Sequence, residues 1–101
     1  MMDACILLGK ILQKFSDQGY CQVKGYKRFN YVRETDNAVH VLRENKNEAI
    51  IPFNKLQVAI KAYQGDTTLY DQGPNALRNY ELTHITSPIF SLLHLLPKES
   101  Y

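Results

Sequence analysis

Apolar residues in the first stretch of the chain recur at the spacing of one helix face. Ala4, Leu7, Leu8, Ile11, Leu12 and Phe15 fall on one side, and Lys10, Gln13, Lys14 and Asp17 fall largely opposite. Asp3 offers an N-cap oxygen, and Gly19 suits the left-handed residue that closes many helices. The pattern predicts one amphipathic helix whose apolar face docks on the rest of the fold. Gly9 in its interior costs about 1 kcal/mol relative to Ala, which points to close packing there or to a helix that frays early.

From Tyr20 the period changes to two. Cys21 and Val23 alternate with Tyr20, Gln22, Lys24 and Tyr26, so these four polar and aromatic positions share a wet face. Gly25 marks a bulge or bend. In the run after it, Phe29 and Tyr31 share a face against Arg28, Asn30 and Val32. Thr35-Asp36-Asn37 is turn chemistry, AVHVLR reads as the return strand, and Glu44-Asn45-Lys46-Asn47 as the next turn. EAIIPF is a third segment, ended by Pro52, which cannot donate to a central ladder. Together these predict an antiparallel meander of three strands, with residues 20–26 as a fourth strand or an extended lead-in.

Helical spacing returns afterwards. Asn54 offers an N-cap, and Leu56, Ala59, Ile60 and Tyr63 mark one face as far as Gly65. Over 66–82 the pattern is weaker: Asp66 or Thr67 starts a short helix, Gly73-Pro74 breaks it, and NALRNYEL adds a turn or two. Ser87 before Pro88 reads as an N-cap with Pro at the first helical position, and IFSLLHLL then runs to Pro97. That last helix is apolar nearly all round and so must be buried or partnered on several sides. Residues 98–101 read as a loose tail.

The predicted class is therefore α+β: an N-terminal helix, a three- to four-stranded antiparallel meander, then two to four helices. At 101 residues, 45% hydrophobic and 22% charged, the chain is expected to form one compact domain over 1–101. No apolar run approaches the roughly 18 to 20 residues of a membrane span. The opening stretch lacks the positive n-region and small-residue cleavage site of a signal peptide. Cys5 and Cys21 are too few for a disulfide scaffold and have no metal spacing. The expectation is a cytoplasmic, thiol-reduced protein without a membrane partner.

Candidate chemistry narrows the reading mostly by exclusion. His40, His84 and His94 have no sequence feature linking them to a nucleophile or to each other at ligand spacing. The glycines match neither a P-loop nor a dinucleotide fingerprint. No catalytic residue, metal or cofactor is expected, and the chain does not read as an enzyme.

The positive signal lies between Tyr20 and Arg33. Lys24, Lys27, Arg28 and Arg33 are interleaved with Tyr20, Tyr26, Phe29 and Tyr31, and no acid occurs in that stretch. Cations neutralise phosphates, and rings or guanidinium planes stack on bases. Lys24, Lys27, Arg28 and Arg33 are therefore the expected phosphate contacts, with Tyr20 and Tyr26 as stacking or edge contacts. The competing account is an ordinary solvated strand with acids supplied from Glu34, Asp36 and Glu44.

The order of elements also fits the outline of winged-helix-like modules. A hairpin around Asp36-Asn37 would be the wing, and Lys55, Lys61 or the segment around Arg78 would add contacts. The leading expectation is a non-enzymatic nucleic-acid-binding module. The alternative, from another class, is a protein-interaction or inhibitor-like module, homodimeric in one version, that uses surplus apolar surface on its helices.

Overall fold

The computed structural model describes residues 2–101 and has the α+β architecture that the periodicities predict. Helix α1 (Ala4–Gln18) starts where the Asp3 carboxylate accepts the Cys5 N–H at 2.7 Å. It ends at Gly19, whose φ of 85° lets its N–H return to the Phe15 carbonyl at 2.8 Å. Ala4, Leu7, Leu8, Ile11 and Phe15 are buried along one face. Gly9 is exposed with no neighbour close to where a Cβ would stand, so the expected close packing is absent and the helix runs on unbroken.

Four strands follow: β1 (Tyr20–Cys21), β2 (Phe29–Glu34), β3 (Ala38–Arg43) and β4 (Glu48–Pro52). They form an antiparallel sheet in the order β1-β2-β3-β4. Phe29, Tyr31, Val39, Val41, Ala49 and Ile51 line the inner face and pack into the core. The Phe15 ring meets Tyr31 edge-on at 5.3 Å, which fixes α1 against this face. The register shifts between Tyr31 and Arg33. That bulge reverses the alternation, because Arg33 now pairs with His40 and points outward, where plain period two would have turned it inward with Phe29 and Tyr31.

The later helices close the inner side. Helix α2 (Phe53–Gly65) begins one residue before the expected cap Asn54. Pro52 is extended, and the Phe53 N–H donates to the Asn37 carbonyl at 2.8 Å, so a hairpin carbonyl does the work assigned to a side chain. Asp66 caps a short 3-10 helix, Thr67–Asp71, by accepting the Thr68 N–H, and a second runs from Pro74 to Tyr80. Helix α3 (Thr86–Leu93) begins before Ser87 with no side-chain cap and stops well short of Pro97. Leu92, Leu93 and Leu96 are nonetheless buried, so the apolar excess of this segment is covered within the chain.

The chain end is docked and not loose. Lys98–Ser100 forms a 3-10 turn, Lys98 pairs with Asp71, and the Tyr101 ring lies 5.2 Å from Tyr63 with its hydroxyl donating to the Leu93 carbonyl. His94 completes this cluster. Its ring stacks on Tyr70 at 3.9 Å, and its two nitrogens face the Phe90 and Tyr70 carbonyls at 2.7 and 2.9 Å.

Candidate nucleic-acid interface

The basic stretch leaves the sheet as a loop. Only Tyr20 and Cys21 pair with β2, and the chain then turns through residues 22–28. Cys21 roots that loop in the core, where burial pushes its thiol up to about 12. A turn follows in which the Tyr26 N–H donates to the Val23 carbonyl at 2.9 Å. Gly25 takes a φ of 89°, a value costly for any residue with a Cβ. Lys24, Lys27 and Arg28 all project into solvent from this loop.

The turn separates the two tyrosines that strict alternation places together. Tyr20 pairs with Asn30 and so belongs to the outer face of the sheet. The Arg28 guanidinium lies 3.8 Å over its ring, and Arg28 Nε donates to Asn30 Oδ1 at 3.0 Å. Tyr26 instead swings to the helical side, where its ring packs 5.3 Å from Phe90 of α3 while 43% of the residue stays exposed. Period two ends at Cys21 because the chain bends, and the shared wet face ends with it.

Behind Tyr26 lies a cleft of about 620 Å³, lined by Tyr26, Lys27, Phe29, Arg43, Glu44 and the backbone of Gly25, with Asn45 and Ser87 completing it. Arg43 pairs with Phe29, and from the inner row its guanidinium donates to the His84 carbonyl at 3.0 Å. Glu44 is the acid of this lining, and its Oε1 accepts the Arg28 backbone N–H at 3.1 Å. Among the described residues, no carboxylate comes within ion-pair distance of Lys24, Lys27, Arg28 or Arg43.

Arg33 stands apart from this group. At the far end of β2 its guanidinium lies 3.5 Å from Glu48, whose Oε1 also accepts from His40 Nδ1 at 2.6 Å. His40 is only 7% exposed, held beneath these partners on the outer face. Five of the six expected contacts (Tyr20, Lys24, Tyr26, Lys27, Arg28) thus gather on or beside one loop, and the sixth is neutralised elsewhere. Arg43 is the residue the basic-aromatic pattern misses. Its signal is a cation in register with the inward Val39 and Val41.

Other chemistry is sparse. Cys5 is exposed and Cys21 buried, both as free thiols. Among the described residues no three His, Cys, Asp or Glu side chains gather in a metal-holding group, and no helix is long and apolar enough to cross a membrane. Compared with known proteins, the chain matches no protein family, no curated protein and no solved structure.

Proposed function

We propose that the chain is a non-enzymatic nucleic-acid-binding module whose contact surface is the 22–28 loop. One observation carries this reading: Lys24, Lys27 and Arg28 are exposed, free of carboxylate partners among the described residues, and set beside Tyr20 and Tyr26. Unneutralised cations next to aromatic rings suit a phosphate backbone with bases alongside. Lys24 and Lys27 supply mobile point charges. Arg28 is preorganised by its stack on Tyr20, which lowers the ordering cost of a phosphate contact. The free thiols fit a reducing compartment such as the cytoplasm.

A winged-helix mode has less support. Its wing would be the Asp36-Asn37 hairpin, yet the Asn37 carbonyl is tied to the start of α2, and the Lys24, Lys27 and Arg28 cluster sits at the other end of the sheet, with Lys55 beside the hairpin. The protein-interaction reading rested on apolar surplus in the N-terminal and C-terminal helices; Leu92, Leu93 and Leu96 of the last segment are buried, while Ile6 of α1 stays exposed. The exposed large apolar residues are Met2 before α1, Ile6 on α1, Tyr26 on the loop, Val32 on β2, Ile50 on β4 and Val58 on α2.

The test is an amide NMR titration with short oligonucleotides at low and moderate salt. Shifts confined to residues 20–30 and 43–46 that fade with salt are the expected result. A spectrum unmoved by every oligonucleotide would sink the reading and return attention to a protein partner, with sedimentation as the next step.

A further inference from the structure

We infer that the cleft behind the 22–28 loop holds one unpaired nucleotide of a single strand, with its phosphate on Arg43 and Lys27 and its base against Tyr26. This inference rests on the nucleic-acid reading and narrows it from nucleic acid in general to single strands.

Arg43 is the first argument. It is half-buried on the inner row of β3, uses one N–H on the His84 carbonyl, and has no carboxylate within ion-pair distance among the described residues. A guanidinium carries five donors in a planar fork, so four remain in the geometry that fits phosphate oxygens. Partly buried charges are ordinarily paired, and a ligand phosphate supplies the missing partner. Lys27, also in the lining, adds a second positive charge, against the single carboxylate of Glu44.

Tyr26 is the second. Its ring is held on Phe90 and stays partly exposed, so it offers a base a stacking surface that is already immobilised. Asn45 and Ser87 add edge contacts. Asn45 Oδ1 accepts the Asn47 N–H at 3.0 Å, which leaves the Asn45 amide N–H₂ to donate, and the Ser87 hydroxyl can donate or accept.

Shape is the third. A cleft of about 620 Å³ lies within the range of small-ligand sites and has room for one nucleotide. It is concave and receives a group. Reading a duplex requires the reverse, a helix or ribbon that enters a groove. A base must leave its stack to reach Tyr26, and an unpaired base does so at least cost.

The experiment uses the full chain with an eight-nucleotide single strand carrying one 2-aminopurine, and a blunt hairpin duplex of the same composition. The expected result is single-strand binding about tenfold tighter than duplex binding, with 2-aminopurine emission quenched on binding. Tyr26→Leu and Asn45→Ala should each weaken single-strand binding severalfold and restore emission, and weaken it more than they weaken duplex binding. Arg43→Gln should remove most of the single-strand preference. If it fails to fold, the Tyr26 and Asn45 variants still decide the matter. Equal affinity for strand and duplex, or emission that binding does not change, overturns the inference and leaves the broader reading standing. No binding of either probe at low salt overturns both.

Discussion

The two ends of β2 carry arginines in opposite electrostatic settings. At one end Arg33 is held by Glu48, which also engages His40, so its charge is answered within the fold. At the other, Arg28 lies over a tyrosine ring beside Lys24 and Lys27, and no carboxylate reaches any of the three among the described residues. The sequence presents all four cations as one run. The bulge after Tyr31 sends Arg33 to an outer-face partner, whereas Gly25 turns the other three into solvent. A basic stretch is thus two things, a structural pair and an exposed cluster, and local backbone geometry divides them.

The largest expected effect concerns the root of the free end. Burial holds the Cys21 proton from an ordinary value of 9.0 up to about 12. The thiol therefore stabilises the fold fully below pH 9, and that contribution is lost as the pH rises toward 12. The whole change is worth on the order of 4 kcal/mol. Tyr63, Tyr70 and Tyr101, also raised chiefly by burial, act in the same direction above pH 10. Urea midpoints between pH 8 and 10 should fall for the native chain and fall less for Cys21→Ala. Parallel curves would show that the loop is not rooted through a buried thiol.

Breaking the neutralised end should cost less. Glu48→Gln removes the carboxylate shared by Arg33 and His40 and is expected to lower stability by about 1 to 2 kcal/mol, read by denaturant midpoint. It also frees Arg33, so oligonucleotide affinity should rise slightly, by less than about threefold. A fall in affinity would mean that the paired end takes part in binding. The smallest effect sharpens the free end: Tyr20→Leu removes the surface beneath Arg28 and should cost about 0.5 to 1 kcal/mol in stability. Oligonucleotide affinity should fall only a few-fold, because the charge of Arg28 remains.

The extended and helical elements were largely legible because their periodicities are strong. The Asp3 carboxylate and the left-handed backbone of Gly19 bracket α1, and the inward alternation of Phe29 and Tyr31 holds. Tertiary contacts overrode local chemistry at the later helix starts. The Asn37 carbonyl takes the Phe53 N–H, and α2 begins before Asn54. The chain end is ordered by Tyr101 finding Tyr63 and the Leu93 carbonyl, a contact no local pattern announces.

At the candidate site, residue types were readable but grouping was not. Alternation assumes an unbroken strand, and both the turn at Gly25 and the bulge after Tyr31 interrupt it. Arg43 could have been noticed as a cation in an inward row. Its neighbour Ser87 lies far along the chain and could not.

The central claim is that the free end of β2 binds nucleic acid and the paired end does not. Its most direct test is the salt dependence of oligonucleotide affinity for the native chain, the double variant Lys24→Gln/Arg28→Gln, and Arg33→Gln. The account predicts that the double variant binds every sequence at least about tenfold more weakly, with a log–log salt slope shallower by between about 1 and 2. Arg33→Gln should match the native chain in both. A double variant with native affinity and slope, or an Arg33→Gln variant that loses as much, would contradict it.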